Sequence, residues 1–540
     1  MAESVLIVGA GPVGLTVANL LTAQGIGVRI VTAETERRPV EYSRAEGNHA
    51  RTLAVYERLG VLDEVQSRGR RVYGAAFHDG DRRLGAVDMD DPTSYYRTVI
   101  LGQSRIERIL EIRLADAGVD VQRGWTLTGL DQSDQHASAT LTGPDAETIT
   151  VDAAYIVACD GGRSTARKLL GAAFDGDTSD IQYALADVQI TTRHRPYDDD
   201  MHVWFNPMMM LARLDGDYWR AVAPTDASQP LPDSPESVLR TIQDRFDRNG
   251  VAVTIHAPRW TSMFRVNTRG INHMRWGRIF FAGDSAHVHS PMGGQGMNEG
   301  IQDALNLAWK LTAVLNHGAP DGLLDTYDAE RQPFIADLLK DTQGMTRFME
   351  GSSAPFALLR NTVIAAITRL APLQPAVRRR FTGANRSIDH SSIVADPHAR
   401  RFPRRAPRPG QRAPDARGIS SADRTHPSRL FTHWQDAHHH ELLIFAGRHE
   451  IASRREELSA IADDIERRCA PTAPLRARVV TRSGTATLNF YLDGESDLLR
   501  RYAITTECIY LIRPDGFIAY RSPTADPEPV IGFLRDAYRP

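Results

Sequence analysis

The first thirty residues restrict the fold more than any other part of the chain. The apolar run Val5-Leu-Ile-Val8 leads into Gly9-Ala-Gly11-Pro-Val-Gly14, and a helical pattern of apolar residues follows. We predict a strand at Val5–Gly9, a tight turn, a helix from about Pro12 to Gln24 and a strand at Val28–Thr32. A strand, a helix and a strand in this order form the opening βαβ unit of a Rossmann-like sheet.

The glycine spacing indicates that this unit binds a dinucleotide. Gly9 permits the turn, Gly11 lets the backbone approach a pyrophosphate, and Gly14 lets the helix pack closely on the strand. Pro12 and Val13 open the helix, and its N-terminal amides face the phosphates in such units. Glycine-rich turns also occur for structural reasons alone, but this one stands between a strand and a helix, where the fingerprint requires it.

The sequence leaves three candidates for the residue that contacts the ribose. Such folds place an acidic residue at the end of the second strand, where this chain has Thr32. A hydroxyl makes a weaker hydrogen bond than a carboxylate does. Glu34 is the preferred substitute, and Thr32 itself and Glu36 are the alternatives.

Two later apolar runs end on polar turns that contain glycine. Ala153–Cys159 is followed by Asp160-Gly161, and Arg278–Ala282 is followed by Gly283-Asp284. Both runs predict buried strands, and open α/β sheets bind ligands at the carboxyl ends of their strands. Asp160 and Asp284 are therefore candidate site residues, and the alternative is that they cap turns or helices.

The rest of the pattern predicts the domain organisation of an α/β protein. Short segments at Tyr183–Thr191, His202–Leu214 and Tyr218–Ala223 predict an antiparallel sheet inserted into the nucleotide-binding domain. Trp204, Met208, Met210 and Trp219 on that sheet either wall an aromatic pocket or form its core. We assign residues 1–175 to the first part of the nucleotide-binding domain, 176–275 to the inserted sheet, 276–395 to the second part with its helices, 396–418 to a basic, proline-rich, solvated linker, and 419–540 to a small α/β domain. In this last domain, Cys508–Arg513 and Phe517–Arg521 predict a hairpin through Pro514-Asp515-Gly516.

Composition excludes several functional classes. The chain has 42% apolar and 24% charged residues and a formal net charge of -3, so nothing in its bulk charge attracts nucleic acid or anionic lipid. Its three widely spaced cysteines suit a reducing compartment, and no apolar run reaches membrane-spanning length. His438-His439-His440 is interpreted as a polar turn and not as a metal site. We expect a cytoplasmic enzyme that acts on a small molecule and holds no metal.

Taken together, these motifs resemble those of the group A flavoprotein monooxygenases, the family of para-hydroxybenzoate hydroxylase and phenol hydroxylase. The likeness covers residues 1–380, and the tail resembles the thioredoxin-like extension of the longer members. It is carried by the glycine fingerprint, Asp160-Gly161, Ser43-Arg44-Ala45, His49–Leu53, Gln103, Gly283–His287, Pro291–Asn298 and Asp303–Lys310, and in the tail by Gly410–Pro414 and Arg513–Gly516.

The resemblance implies that FAD occupies the fingerprint and implies roles for individual residues. Arg44 would contact the FAD phosphate, Gln103 the side of the flavin, and Asp284 the ribityl chain. Asp160 would shape the path of the nicotinamide nucleotide and flavin. The loop that contains Pro291, Gly294, Gly296, Met297 and Asn298 would lie against the isoalloxazine ring.

The implied reaction is the hydroxylation of a phenolic or polyketide-like ring. FAD would be reduced by NAD(P)H, with NADPH preferred, and would react with O2 to a C4a-hydroperoxide that transfers its distal oxygen. No residue is singled out as a chemical catalyst. The alternatives are a Baeyer–Villiger oxygenase on the same scaffold and a flavoprotein that binds its ligand without hydroxylating it. The expected partner is a small aromatic substrate, and a homodimer is compatible with the sequence.

Overall fold

The computed structural model describes most of the chain. The residues described are 4–41, 45–89, 95–192, 199–205, 208–225, 232, 234–290, 294–350, 353–370, 373–374, 387–424, 426–434, 439–449, 451–470, 473–484 and 489–538. Arg44 and Pro291, both predicted to contact FAD, lie outside the described residues.

The helices and strands follow each other in an α/β order. The first third contains β1 (Val5–Val8), α1 (Pro12–Thr22), β2 (Val28–Thr32), β3 (Gly47–Asn48), α2 (Ala50–Arg58), α3 (Leu62–Arg68), β4 (Arg70–Arg71), β5 (Gly74–Asp79), β6 (Arg82–Asp88), β7 (Val99–Ile100), α4 (Gln103–Asp116), β8 (Val121–Arg123), β9 (Thr126–Gln132), β10 (Ala137–Thr142), β11 (Thr148–Ala153), β12 (Tyr155–Ala158) and α5 (Thr165–Leu169). The middle contains β13 (Asp175–Thr192), β14 (Met201–Trp204), β15 (Met209–Arg213), β16 (Tyr218–Pro224), α6 (Pro235–Arg248), β17 (Val253–Gly270), β18 (Arg275–Trp276), β19 (Ile279–Phe281), β20 (His287–Val288), α7 (Gln295–His317), α8 (Asp325–Glu350) and α9 (Ala354–Arg369). The last part contains β21 (Ile419–Ser420), β22 (His440–Phe445), α10 (Ala452–Cys469), β23 (Leu475–Thr481), β24 (Phe490–Asp493), α11 (Asp497–Arg501), β25 (Cys508–Ile512), β26 (Ile518–Ser522) and α12 (Pro527–Ala537).

The first sheet confirms the predicted Rossmann-like arrangement. Its strand order is β18-β19-β12-β1-β2-β8, and β1 pairs in parallel with both β12 and β2. Val8 on β1 lies beside Ala158 on β12, which lies beside Phe281 on β19. Parallel strands in this register end at the same edge. The turns after β1, β12 and β19 therefore lie side by side, as the sequence predicts.

The second sheet is mostly antiparallel, with the order β20-β17-β13-β16-β15-β14-β5-β6. It differs from the prediction in two ways. The expected segment His202–Leu214 divides into the paired strands β14 and β15, and β5 and β6 from the first third of the chain extend the sheet. The sheet is therefore built from three separate stretches of sequence, which carry β5–β6, β13–β17 and β20.

A third sheet, with the order β21-β24-β23-β22-β25-β26, forms what we name the C-terminal unit together with α10, α11 and α12. The predicted hairpin through Pro514-Asp515-Gly516 is present, because β25 and β26 pair antiparallel. The polar-turn prediction is wrong for His440, which begins the buried strand β22 and exchanges a hydrogen bond with the Tyr538 hydroxyl at 3.1 Å. His440 is part of the sheet because the apolar residues that follow it form the buried strand β22.

The basic segment expected as a solvated linker also lies against this unit. The Gly410 amide donates to the Ile518 carbonyl at 2.8 Å, and the Arg521 guanidinium donates to the Pro407 carbonyl at 2.9 Å. Ala406 is only 3% exposed. Because the backbone groups of Pro407 and Gly410 have partners on β26, this part of the segment has a fixed path.

Candidate cofactor site

The glycine turn after β1 combines tight packing with one open position. A Cβ atom on Gly9, whose φ is +107°, would lie 2.3 Å from the Cys159 carbonyl oxygen, and one on Gly14 would lie 2.0 Å from the Gly9 carbonyl oxygen. Gly11 differs, because a Cβ there would meet nothing nearer than a Glu107 carboxylate oxygen at 3.9 Å. The turn therefore needs Gly9 and Gly14 for packing, and Gly11 borders free space.

The start of α1 fits a bound anion. Gly11 is the N-cap, Pro12 follows it, and within the described structure no side chain caps this helix and no acidic residue lies in its first turn. Val13 packs closely against the turn that follows β19. A Cβ on Gly283 in that turn would lie 2.8 Å from the Val13 side chain. The Val13 backbone amide and that of Gly14 stay at the helix N-terminus, where the helix dipole favours negative charge.

The three ribose candidates lie in different surroundings. The Thr32 hydroxyl is close to the amide of Glu34, at 3.4 Å, and Thr32 is buried. The half-exposed Glu34 carboxylate accepts from Arg38 Nε at 2.9 Å, whereas Glu36 is exposed. Thr32 and Glu34 are therefore the two that lie at the end of β2.

A further acidic residue, Glu107 on α4, was missed by the sequence reasoning. Its carboxylate lies beside Gly11 and accepts from Gln103 Nε2 at 2.8 Å. Burial raises the pKa of Glu107. Gln103 was predicted to contact the flavin side, and its hydrogen bond to Glu107 shows that it also orients this carboxylate. The i, i+4 spacing of these two residues on a helix is the signal that the sequence offered.

Asp160 follows β12 and caps the short helix α5. Its Oδ2 accepts from the amides of Thr165 and Ala166 at 2.7 and 3.0 Å. Its Oδ1 is buried and has no hydrogen-bond partner among the described residues. One Asp160 oxygen therefore caps α5, as the alternative interpretation predicted, and the second oxygen is available to another donor.

Arg167, which the sequence reasoning missed, joins the turn after β12 to the turn after β19. Its guanidinium donates to the Ser285 carbonyl at 2.9 Å and to the Gly162 carbonyl at 2.7 Å, and it lies 3.8 Å from the centre of the Phe174 ring. Both turns are held in one arrangement by a single buried side chain.

The Gly283-Asp284 turn is fixed from behind by Asp303 on α7. The fully buried Asp303 carboxylate accepts from the Gly283 amide at 3.0 Å and from Arg331 Nε at 2.7 Å, and it contacts His287 Nε2 at 2.8 Å. Burial by itself would raise the pKa of Asp303, but the Arg331 charge outweighs it and the pKa lies below its ordinary value. This support leaves Asp284 exposed at the tip of the turn.

The first turn of α7 is tied to α2 by Asn298. Asn298 Oδ1 accepts from the His49 amide at 2.8 Å and the Thr52 hydroxyl at 2.6 Å, and Nδ2 donates to the carbonyls of Gly47 and Gly294. Gly294, the N-cap, has a φ of +61°, which favours glycine. The Asn298 side chain therefore makes its hydrogen bonds within the protein, and backbone amides are the groups that remain available to a ligand.

The neighbouring residues Gly296 and Met297 lie in the same turn. A Cβ on Gly296 would lie 3.9 Å from the His289 ring, and Met297 is 9% exposed. Gly296 thus keeps space open in front of the helix, as Gly11 does at α1.

The predicted pocket residues divide between the two faces of the second sheet. Trp204 and Trp219 lie in the apolar core beneath α6, where the Trp204 indole donates to the Gly80 carbonyl at 3.1 Å. Met208 and Met210 lie on the opposite face. Strand residues alternate between faces, so the two tryptophans and the two methionines do not share one pocket.

The face that carries Met210 is the one turned toward the cofactor-binding part. Arg220 on this face donates to Glu46 at 3.0 Å and to Asp187 at 2.9 Å, and Glu46 precedes β3. The aromatic and apolar residues of the same face are Phe77, Leu84, Val87, Tyr183, Leu185, Val203, Phe205, Met208, Val222 and Val266, with Ile364 from α9 and the partly buried Met210, Trp260 and Phe264. These residues form a mostly buried apolar and aromatic layer on the Met210 side of the sheet.

Comparison with known proteins identifies the family. A family model described as FAD binding domain matches residues 2–342. The 12-dehydrotetracycline 5-monooxygenase/anhydrotetracycline 6-monooxygenase of Streptomyces rimosus is 30% identical over 100% of this chain and 98% of its own length. The chain belongs to the family of FAD-dependent aromatic monooxygenases. The predicted family, α/β fold class, FAD and hydroxylating activity are confirmed, and the thioredoxin-like nature of the C-terminal domain stays a prediction.

Other members agree with this assignment. Rifampicin monooxygenase of Streptomyces venezuelae is 36% identical over 66% of this chain and 74% of its own length. The solved structure of OxyS anhydrotetracycline hydroxylase from Streptomyces rimosus superposes with a TM-score of 0.75 at 26% identity and covers 100% of both chains. The monooxygenase names argue against the non-catalytic alternative, and the name hydroxylase of the OxyS structure supports hydroxylation over the Baeyer–Villiger alternative.

The described residues fit FAD. The uncapped α1 N-terminus and the space at Gly11 suit the pyrophosphate, and the unpartnered Asp160 Oδ1 is a buried acceptor at the adjoining strand end. Across the described part of the chain, no group of three or more His, Cys, Asp or Glu side chains is placed to hold a metal ion. Among the same residues, none of the helices combines the length and apolarity needed to cross a bilayer.

Proposed function

We propose that this enzyme uses NADPH and O2 to hydroxylate a bulky, polycyclic phenolic substrate. The observation that carries the proposal is the aromatic face of the second sheet, which is turned toward the cofactor-binding part. Relatives that match the whole length of this chain are named for tetracyclic substrates, which agrees with a large pocket.

The cofactor site assigns work to the chain's own residues. The amides of Val13 and Gly14 would bind the FAD pyrophosphate, Glu34 or Thr32 the ribose, and Asp284 the ribityl hydroxyls. Arg44 would add a guanidinium to a phosphate. Bound FAD, once reduced, supplies the activation of O2. The chain's contribution is to orient this group and keep water away from it.

The α7 turn and Asp160 complete that environment. Gly294, Gly296 and Met297 would present backbone amides to the flavin ring, with Pro291 in the adjoining loop, and the helix dipole of α7 would stabilise negative charge there. Gln103 would border the ring from α4. Asp160, with its unpartnered oxygen, would lie on the path of the nicotinamide nucleotide.

The substrate would bind between the α7 turn and the Met210 face. Phe77 and Phe205 stack with ring centres 6.0 Å apart, and Tyr183 and Phe264 stack at 5.5 Å. Stacked aromatic side chains suit flat, fused rings, and apolar walls exclude water from the reacting centre. Trp204 and Trp219 would then be sheet core, since α6 covers their face.

Filling this pocket tests the proposal. Met210→Trp adds a large ring on the pocket face, so we expect KM for a tetracyclic phenol to rise at least tenfold while FAD content stays unchanged. Trp219→Phe on the α6 face is the matched control and should lower Tm without changing KM. NADPH consumption stimulated by tetracyclic phenols but not by simple benzoates is the readout. The same KM in wild type and Met210→Trp would overturn the pocket assignment.

A further inference from the structure

Two motifs singled out in the sequence have no role in the site described above. One is the α7 segment that contains Asn306, Trp309 and Lys310, and the other is the Arg513-Pro-Asp-Gly516 turn between β25 and β26. They are separated by about two hundred residues of chain, yet the structure brings them into direct contact. We name this contact the α7 clamp.

The carboxylate of Asp515 is the centre of the α7 clamp. Its Oδ2 accepts from Asn306 Nδ2 at 3.0 Å and from Trp309 Nε1 at 3.3 Å, while its Oδ1 accepts from Arg513 Nε at 3.0 Å. Asp515 is 1% exposed. Both donors on α7 therefore share one acceptor from the C-terminal unit.

A second carboxylate, Glu330 on α8, completes the contact. Arg513 donates to its two oxygens at 2.6 and 2.7 Å, Lys310 Nζ donates at 2.9 Å, and Asn306 Nδ2 donates at 2.8 Å. The two cations, Arg513 and Lys310, thus face two carboxylates, and each charge has a partner of opposite sign. Charges buried to this degree hold one geometry, because any displacement leaves a charge without its partner.

The same helix reaches the flavin site with its other residues. Asn298 lies eight residues before Asn306, about 12 Å along the helix axis, and ties α7 to α2. Asp303 lies one turn before Asn306 and holds the Gly283 amide. A helix moves as a rigid rod over such a length, so a shift at Asn306 is passed to the turn that carries Asp284.

The C-terminal unit also contacts α2, the partner of that first turn. Arg58 on α2 donates to the Pro514 carbonyl of this unit, and Arg412, in the basic segment that lies against the unit, donates to Gln302 on α7 at 3.0 Å. The hairpin turn therefore contacts both α2 and α7, the two helices that Asn298 joins.

We infer that Asp515, together with Arg513, is a positioning residue for the flavin site: the C-terminal unit holds α7 in the position that FAD binding requires. In this account the unit contributes to cofactor affinity from outside the cofactor-binding part. The inference concerns FAD binding alone and does not depend on the substrate.

The test compares FAD affinity with stability in full-length protein. Asp515→Asn replaces the carboxylate that accepts from the α7 donors with a neutral amide, and Trp309→Phe removes only the indole donor. Arg468→Met is the control, because it removes an exposed ion pair with Glu528 within the C-terminal unit. Kd for FAD is measured by titrating apoprotein well below each Tm.

We expect Kd to rise at least tenfold in Asp515→Asn and about threefold in Trp309→Phe, with no change in Arg468→Met. In the double variant Asp515→Asn/Trp309→Phe, the loss of FAD-binding free energy should be smaller than the sum of the two single losses, because both changes break the same contact. A lower Tm with an unchanged Kd in both variants would reduce the clamp to a stabilising contact and overturn the inference. If Asp515→Asn does not fold, the Kd of Trp309→Phe decides.

Discussion

Asp303→Asn is the substitution with the most defined consequence for the cofactor site. The carboxylate is fully buried and accepts from the Gly283 amide, while facing Arg331 at 2.7 Å and His287 at 2.8 Å. The amide keeps the shape but removes the charge that balances Arg331. Breaking a buried ion pair costs about 3–5 kcal/mol. Arg331 keeps Glu299 at 3.2 Å as a second partner, so we expect the lower end, about 3 kcal/mol.

Chemical denaturation of the apoprotein, followed by tryptophan fluorescence, measures this loss directly. A change of about 3 kcal/mol is roughly a hundredfold in the unfolding equilibrium. FAD affinity should also fall, since the Gly283-Asp284 turn loses its support. A loss below about 1 kcal/mol would refute the reasoning, because the pair would then contribute no more than an exposed one.

The same substitution carries a pH signature. The pKa of Asp303 is lowered in the folded state, so its contribution is present above the ordinary aspartate value near 4 and is lost as the pH falls through the lower folded value. The stability difference between wild type and Asp303→Asn should therefore be constant at neutral pH and shrink below about pH 4. A difference that shrinks already between pH 7 and 5 would point to another group.

Three further predictions follow from single residues. Asp284→Ala should weaken FAD binding by about 1–3 kcal/mol without a matching loss of apoprotein stability, as measured by flavin titration; wild-type affinity would remove Asp284 from the site. Burial lowers the pKa of His440 to about 3, so protonation favours unfolding and stability should fall by about 1.4 kcal/mol per pH unit below 6.5; His440→Gln should flatten this slope, and an unchanged slope would contradict the assignment. The C-terminal unit should not reduce insulin disulfides, because burial raises the pKa of the Cys469 thiol to about 11 and raises that of Cys508 too; turnover by the intact chain would disprove this.

Local pattern predicted the elements that lie close together in sequence. The β1–α1–β2 unit, the strands before Asp160 and Gly283, and the β25–β26 hairpin match the prediction within a few residues. Each of these depends on a short apolar run and on glycine at a turn, both of which are visible in the sequence.

Elements that depend on distant partners escaped prediction. The strands β5 and β6 join the second sheet only through the parallel pairing of β5 with β14, which no local periodicity signals. Charged composition suggested solvent for residues 396–418, but the backbone groups of Gly410 and Gln411 pair with Ile518 on β26.

The site shows the same division. The glycines and the two aspartate turns were predicted because their spacing is local. Arg167, Asp303 and Arg331 were missed, since each acts on a backbone group or charge from another part of the chain. The faces of Trp204 and Met210 could not be separated either, because the register of the sheet decides which side each one occupies.

Isotope labelling tests the central claim most directly. Purified FAD-loaded enzyme is given NADPH, a tetracyclic phenol that stimulates NADPH oxidation, and 18O2, and the organic product is analysed by mass spectrometry. The account predicts one 18O atom in the product for each NADPH consumed in coupled turnover, and none when H2(18)O replaces labelled oxygen. NADPH oxidation that returns all of the oxygen as hydrogen peroxide, with no oxygenated product from any stimulating phenol, would contradict it.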